Sequence, residues 1–91
     1  MEKVHYNITI RGKVQGVWFR KYTKDEADRL RLGGLVRNEP NGDVYTEAEG
    51  AKTDVIDFIE WLYAGSPRSE VKEVVYEVGE IVDFEGFEIR R

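Results

Sequence analysis

Pro40-Asn41-Gly42-Asp43 lies near the middle of the chain and constrains it more than any other four residues. Asn-Gly accepts the positive φ angles that a tight β-turn demands, so the flanking segments are held as a hairpin. Leu35 to Asn38 supplies the incoming strand. Val44, Tyr45, Thr46, Glu47, Ala48 and Glu49 alternate as the returning one.

Outward from the hairpin, each side repeats the same order. Upstream, Val4, Tyr6, Ile8 and Ile10 alternate with His5, Asn7, Thr9 and Arg11, the period of a strand with one buried face. Its polar side leaves His5 as a partly exposed sheet residue. The loop 12–18 follows, and then Phe19, Thr23, Ala27 and Leu30 recur at helical spacing until Gly33-Gly34 ends the helix. Downstream, a second helix spans about Thr53 to Ala64, with Asp54 and Asp57 in its first turn, where the helix dipole favours anions. Its apolar face is Val55, Ile56, Ile59, Leu62 and Tyr63, and Gly65 and Pro67 stop it. Val71 to Val82 is a long β-rich stretch, and Phe84 to Ile89 adds a short terminal strand. The order β-α-β-β-α-β predicts a ferredoxin-like α+β sandwich: an antiparallel sheet with two helices on one face, in a single domain over residues 1–91. This architecture serves enzymes, RNA binders and regulatory modules alike, so it does not decide function.

Composition narrows the chemistry. The absence of cysteine removes disulfides, thiol nucleophiles and thiolate metal sites, and the single histidine, His5, cannot build a histidine metal cluster. No cofactor is expected, and neither is a thiolate or histidine metal site. No apolar run approaches the ~20 residues of a membrane span, and Met1-Glu2-Lys3 does not open a secretory signal, so the expectation is a cytoplasmic protein with no membrane partner. Scarce Asn and Gln amid abundant mixed charge fit heat adaptation, an expectation that a mesophilic melting temperature would end. The net charge of −4 disfavours a nucleic-acid partner. The charge is uneven, however. Residues 1–24 carry six basic groups against one acidic, while residues 25–91 carry eight against seventeen. A cationic end remains for a small anion.

That end contains Gly12-Lys13-Val14-Gln15-Gly16-Val17-Trp18-Phe19-Arg20, which leaves a strand and enters a helix. Two glycines let main-chain N–H groups turn inward, and the helix start adds unpaired N–H groups and a positive dipole. Such a hollow fits a phosphate-sized anion, and Arg20 at the helix entrance presents a planar fork to two phosphate oxygens. The loop lacks the Gly-Lys-Ser/Thr ending of a Walker sequence. From spacing alone a plain β-to-α turn and a solvated arginine remain open as alternatives. Asn38 reads equally as a strand-end residue before the turn, and Trp18 and Trp61 read best as packing residues.

The stretch Ile10 to Arg20 resembles the first signature of the acylphosphatase family, G-x-V-Q-G-V-x-F-R. Gly34-Leu35-Val36-Arg37-Asn38, with Gly42-Asp43-Val44 and Gly50, resembles its second, Leu35 standing where an aromatic residue is usual. Gly65-Ser66-Pro67 before a valine-rich strand also fits, so the resemblance covers essentially the whole chain. It implies a metal-independent acylphosphatase, a hydrolase of acid anhydrides that converts an acyl phosphate and water to a carboxylate and inorganic phosphate. It further implies that Arg20 and the amides of Val14, Gln15, Gly16, Val17, Trp18, Phe19 and Arg20 bind the phosphoryl group, and that Asn38 holds the attacking water. The partners implied are small molecules, with a monomer expected. Two rivals stand beside this reading. One is a ligand-binding regulatory module without turnover, against which both Arg20 and Asn38 weigh. The other is an RNA-binding sheet, whose aromatic and basic strand signature is absent.

Overall fold

A computed structural model describes residues 2–91. Its elements run β1 (Lys3–Lys13), α1 (Phe19–Arg29), β2 (Gly33–Asn38), β3 (Val44–Ala51), α2 (Lys52–Ala64), β4 (Glu70–Val78) and β5 (Phe87–Arg90). The strands form one sheet in the order β4-β1-β3-β2-β5. The period-two pattern of β1 puts Ile8 and Ile10 on the helix-covered face, where both are fully buried. From β3 and β2 the same face receives Val44, Ala48 and Val36, and the helices close over it with Phe19, Ala27, Val55, Phe58 and Leu62. Each such large side chain contributes about 1.5–3 kcal/mol on burial.

The first four strands are antiparallel as expected, with β1 pairing β3 and β4, and β2 pairing β3. The sheet as a whole is mixed, because β5 runs parallel to β2 with Gly34 opposite Phe87 and Arg37 opposite Arg90. The geometric consequence governs the site. β1, β2 and β5 all point the same way, so their C-terminal ends and the N-terminus of α1 meet at one edge.

Several local expectations are corrected. Gly33-Gly34 does not end α1. Arg31 takes the left-handed conformation (φ 59°), and Leu32 N–H donates to Ala27 O at 2.9 Å, closing a Schellman-type cap two residues earlier. Gly34 (φ 146°) belongs to β2, where any Cβ would run into the carbonyl of Glu47. On α2 the buried stripe is Val55, Phe58, Ile59 and Leu62, a strict i, i+3, i+4, i+7 set, whereas Ile56 and Tyr63 face solvent. β4 stops at Val78 rather than Val82, and β5 begins at Phe87 rather than Phe84.

Residues 79–86 lead from one edge of the sheet to the other by crossing the face away from the helices. Gly79 N–H donates to His5 O at 2.7 Å, and Phe84 stacks on the His5 ring with centroids 5.6 Å apart. His5 is therefore 2% exposed rather than partly open. Among the described residues, no helix is long and apolar enough to cross a membrane.

Candidate active site

The loop after β1 is held from behind by its own side chains. Val14, Val17 and Phe19 are buried, and Phe19 lies against Trp61 with ring centroids 6.0 Å apart. Gln15 Nε2 donates to Glu39 O at 2.8 Å and to Asp43 O at 2.9 Å, tying the loop to the base of the β2–β3 turn. Ser66 Oγ, itself buried, donates to Val17 O at 2.9 Å and fixes the loop to the segment after α2. Gly16 (φ 72°) makes the turn between these anchors. Gly12, read from sequence as part of the bend, lies instead at an irregularity of β1, where it passes close to Glu70 of β4.

With its carbonyls and side chains so engaged, the loop leaves its donors free. No main-chain N–H from Gln15 to Arg20 is hydrogen-bonded to another protein group among the described residues. Trp18 N-caps α1 in the left-handed conformation (φ 63°, ψ 20°), without a side-chain cap bond. A non-glycine residue there costs about 1–2 kcal/mol, so the loop shape is maintained against backbone preference.

The loop borders an open cleft of about 660 Å³ lined by Val14, Gly16, Trp18, Phe19, Arg20, Lys21, Asn38, Ile89 and Arg91. Five of the seven predicted loop residues line it together with Asn38, and Gln15 and Val17 instead secure the loop. The half-buried Arg20 has no carboxylate partner among the described residues, and its one contact is Nη1 donating to Arg90 O at a long 3.4 Å. Nearby arginines differ: Arg11 is paired with Glu73 at 3.0 Å and Arg37 with Glu39 at 3.2 Å. No acidic residue lines the cleft, while Lys21 and Arg91 add positive charge at its edge. Asn38 ends β2 with its side-chain Oδ1 buried and unpartnered. Leaving such an acceptor unpaired costs about 1–3 kcal/mol, which any small donor entering the cleft, water included, recovers.

Ile89 and Arg91 went unnoticed in the sequence, because only the parallel register of β5 on β2 brings them here. Trp18, expected to pack, is 70% exposed. Among the described residues no group of three or more His, Asp or Glu is arranged to hold a metal ion. Chemically, the cleft is cationic, has no acidic side chain in its lining, and includes a buried amide oxygen without a protein partner.

Comparison with known proteins covers nearly the whole chain. The acylphosphatase family model matches residues 6–89. An acylphosphatase from Trichormus variabilis is 43% identical over 89 residues, covering 98% of this chain and 86% of its own. Solved structures of acylphosphatases from Bacillus subtilis and Coxiella burnetii match with TM-scores of 0.95 and 0.94 at 34% and 35% identity. Both matches cover 97% of this chain, with 99% of the Bacillus chain and 93% of the Coxiella chain.

Proposed function

The chain belongs to the acylphosphatase family, hydrolases acting on acid anhydrides, and from that premise we propose that its cleft hydrolyses the carboxyl-phosphate bond of acyl phosphates. The phosphoryl group lies in the hollow of residues 14–20, its oxygens accepting from the free main-chain N–H groups and from the Arg20 guanidinium. Asn38 Oδ1 accepts a hydrogen bond from the attacking water and aims its lone pair at phosphorus. The new bond joins water oxygen to phosphorus, and the bond from phosphorus to the acyl oxygen breaks. One water proton passes to a phosphoryl oxygen, so no protein base is needed.

Such a sparse set of residues suits this reaction. The departing carboxylate has a conjugate acid of pKa about 4 and leaves without a general acid. The transition state is largely dissociative, with charge spread over the equatorial oxygens, so positioning and charge stabilisation are the protein's main tasks. Donors already fixed by Gln15, Ser66 and the buried Val14, Val17 and Phe19 need no rearrangement as that charge develops.

The observation that carries the proposal is the pairing of two unsatisfied groups in one cleft: a guanidinium without a carboxylate, and a buried amide oxygen without a donor. Incubation with benzoyl phosphate tests it. The expected result is release of benzoate and phosphate far above the spontaneous rate, undiminished by EDTA. A spontaneous rate only would leave a binding module, and loss on chelation would require a metal in the mechanism. The protein is further proposed to act as a cytoplasmic monomer on small-molecule substrates.

A further inference from the structure

With the phosphoryl group in the loop hollow, the acyl group must project through the mouth of the cleft, so what lines the mouth selects the substrate. Two large apolar side chains stand there, Trp18 from the loop and Ile89 from β5, 70% and 40% exposed. Packing does not explain Trp18: it lies outside the buried core, and its indole joins none of the close ring pairs among the described residues. Backbone preference does not explain it either, since φ 63° suits glycine and strains tryptophan. A bulky aromatic residue held in an unfavourable conformation, largely in solvent, at the lip of an anion site is placed for contact with what enters.

We infer that Trp18, with Ile89, forms an acyl-recognition wall that makes this enzyme select acyl phosphates bearing aromatic or extended apolar acyl groups over acetyl phosphate. The inference rests on the acyl-phosphate reading above and deepens it. An aryl ring stacked on the indole gains offset-stacking and area burial that a methyl group cannot, enough for roughly tenfold discrimination in kcat/KM. Trp18 is here a specificity-determining residue, separate from the part its main-chain N–H plays in the hollow.

The test is the ratio of kcat/KM for benzoyl phosphate to that for acetyl phosphate, in which any common loss cancels. The ratio is expected to fall about fivefold or more in Trp18→Gly and Trp18→Ala, to fall in Ile89→Ala, and to be restored in Trp18→Phe, chiefly through KM. Trp18→Gly should also melt no lower than the parent, since glycine accepts the left-handed angle; a residue retained for packing would lose stability instead. A ratio unmoved by Trp18→Gly and Ile89→Ala would overturn the inference while leaving acyl-phosphate hydrolysis standing. So would a preference for succinyl phosphate that survives Trp18→Gly, which would assign selection to the rim cations Lys21 and Arg91. Failure of the parent protein to hydrolyse either substrate would remove both readings together.

Discussion

The two ends of β1 treat buried polar groups in opposite ways. At its start, His5 Nδ1 lies 3.1 Å from Glu49 Oε2, and its Nε2 lies 2.9 Å from Glu47 Oε1 and 3.1 Å from Asn7 Oδ1. Glu49 also accepts from the N–H groups of Val82 at 2.6 Å and Phe84 at 2.9 Å, and Tyr45 OH donates to Glu47 at 2.8 Å. Beyond its end, the loop N–H groups, Arg20 and Asn38 Oδ1 lack such partners among the described residues. Both regions bring charged and amide groups together. One uses them to fasten the 79–86 crossing to the sheet, and the other leaves them unpaired at the cleft proposed above to take substrate. The difference teaches that residue type alone does not tell a fastening polar group from one left open at a cleft. The only histidine of the chain, which a composition-led search would examine first, belongs to the fastened set.

Substitutions sharpen the contrast. Arg20→Ala should lower turnover of benzoyl phosphate by at least about 10²–10³-fold with little change in melting temperature, because its one protein contact is long. Near-parental turnover would place Arg20 among the structural groups. Glu49→Ala should do the reverse, destabilising by roughly 3 kcal/mol in denaturant titration while the folded fraction keeps its kcat. Asn38→Ala should cut kcat by about 10²-fold yet leave phosphate affinity and stability close to the parent, since no protein hydrogen bond is lost. A fall in stability instead of rate would reverse its assignment. Gln15→Ala, which frees the loop from the β2–β3 turn, should show the smallest effect, about 1 kcal/mol in stability with a raised KM.

The fastened region also carries the pH dependence. Burial pushes the Glu49 carboxyl up, but hydrogen bonds from Val82, His5 and Phe84 outweigh it and hold it below the ordinary carboxylate value. A carboxyl with a depressed folded-state pKa contributes its stabilisation in full above its unfolded pKa and loses it as pH falls through the folded one. Acid unfolding curves should therefore lose part of their slope in Glu49→Gln. Tyr45 shifts oppositely: burial, then the bond to the Glu47 carboxylate, pushes its phenol up to about 12. Its contribution is complete below the unfolded value and disappears as pH rises toward the folded one, and Tyr45→Phe should remove that alkaline loss.

Much of this was legible before any coordinates. Alternation located β1, its buried face and β3, Asn41-Gly42 located the hairpin, and the stretch up to Arg20 located the loop that borders the cleft. Those signals are local, set by φ angles and side-chain periodicity. What escaped depends on distant segments meeting. His5 reads as partly exposed because nothing periodic marks residues 79–86 as the cover of its face. Ile89 and Arg91 reach the cleft only through the parallel register of β5. Gln15 was assigned to the hollow by its neighbours, although its side chain reaches back to the carbonyls of Glu39 and Asp43. Ile56 and Tyr63 enter the apolar face only because an arc from Val55 to Tyr63 is too wide; the i, i+3, i+4, i+7 stripe that faces the sheet takes Phe58 in their place.

The most direct measurement is an amide ¹H–¹⁵N titration with inorganic phosphate. Saturable shifts concentrated on the N–H groups of residues 15–20 and on the Arg20 side chain, with the Asn38 backbone little moved, are the predicted result. Shifts confined to other cationic surfaces, with the 15–20 amides unchanged at saturation, would contradict it.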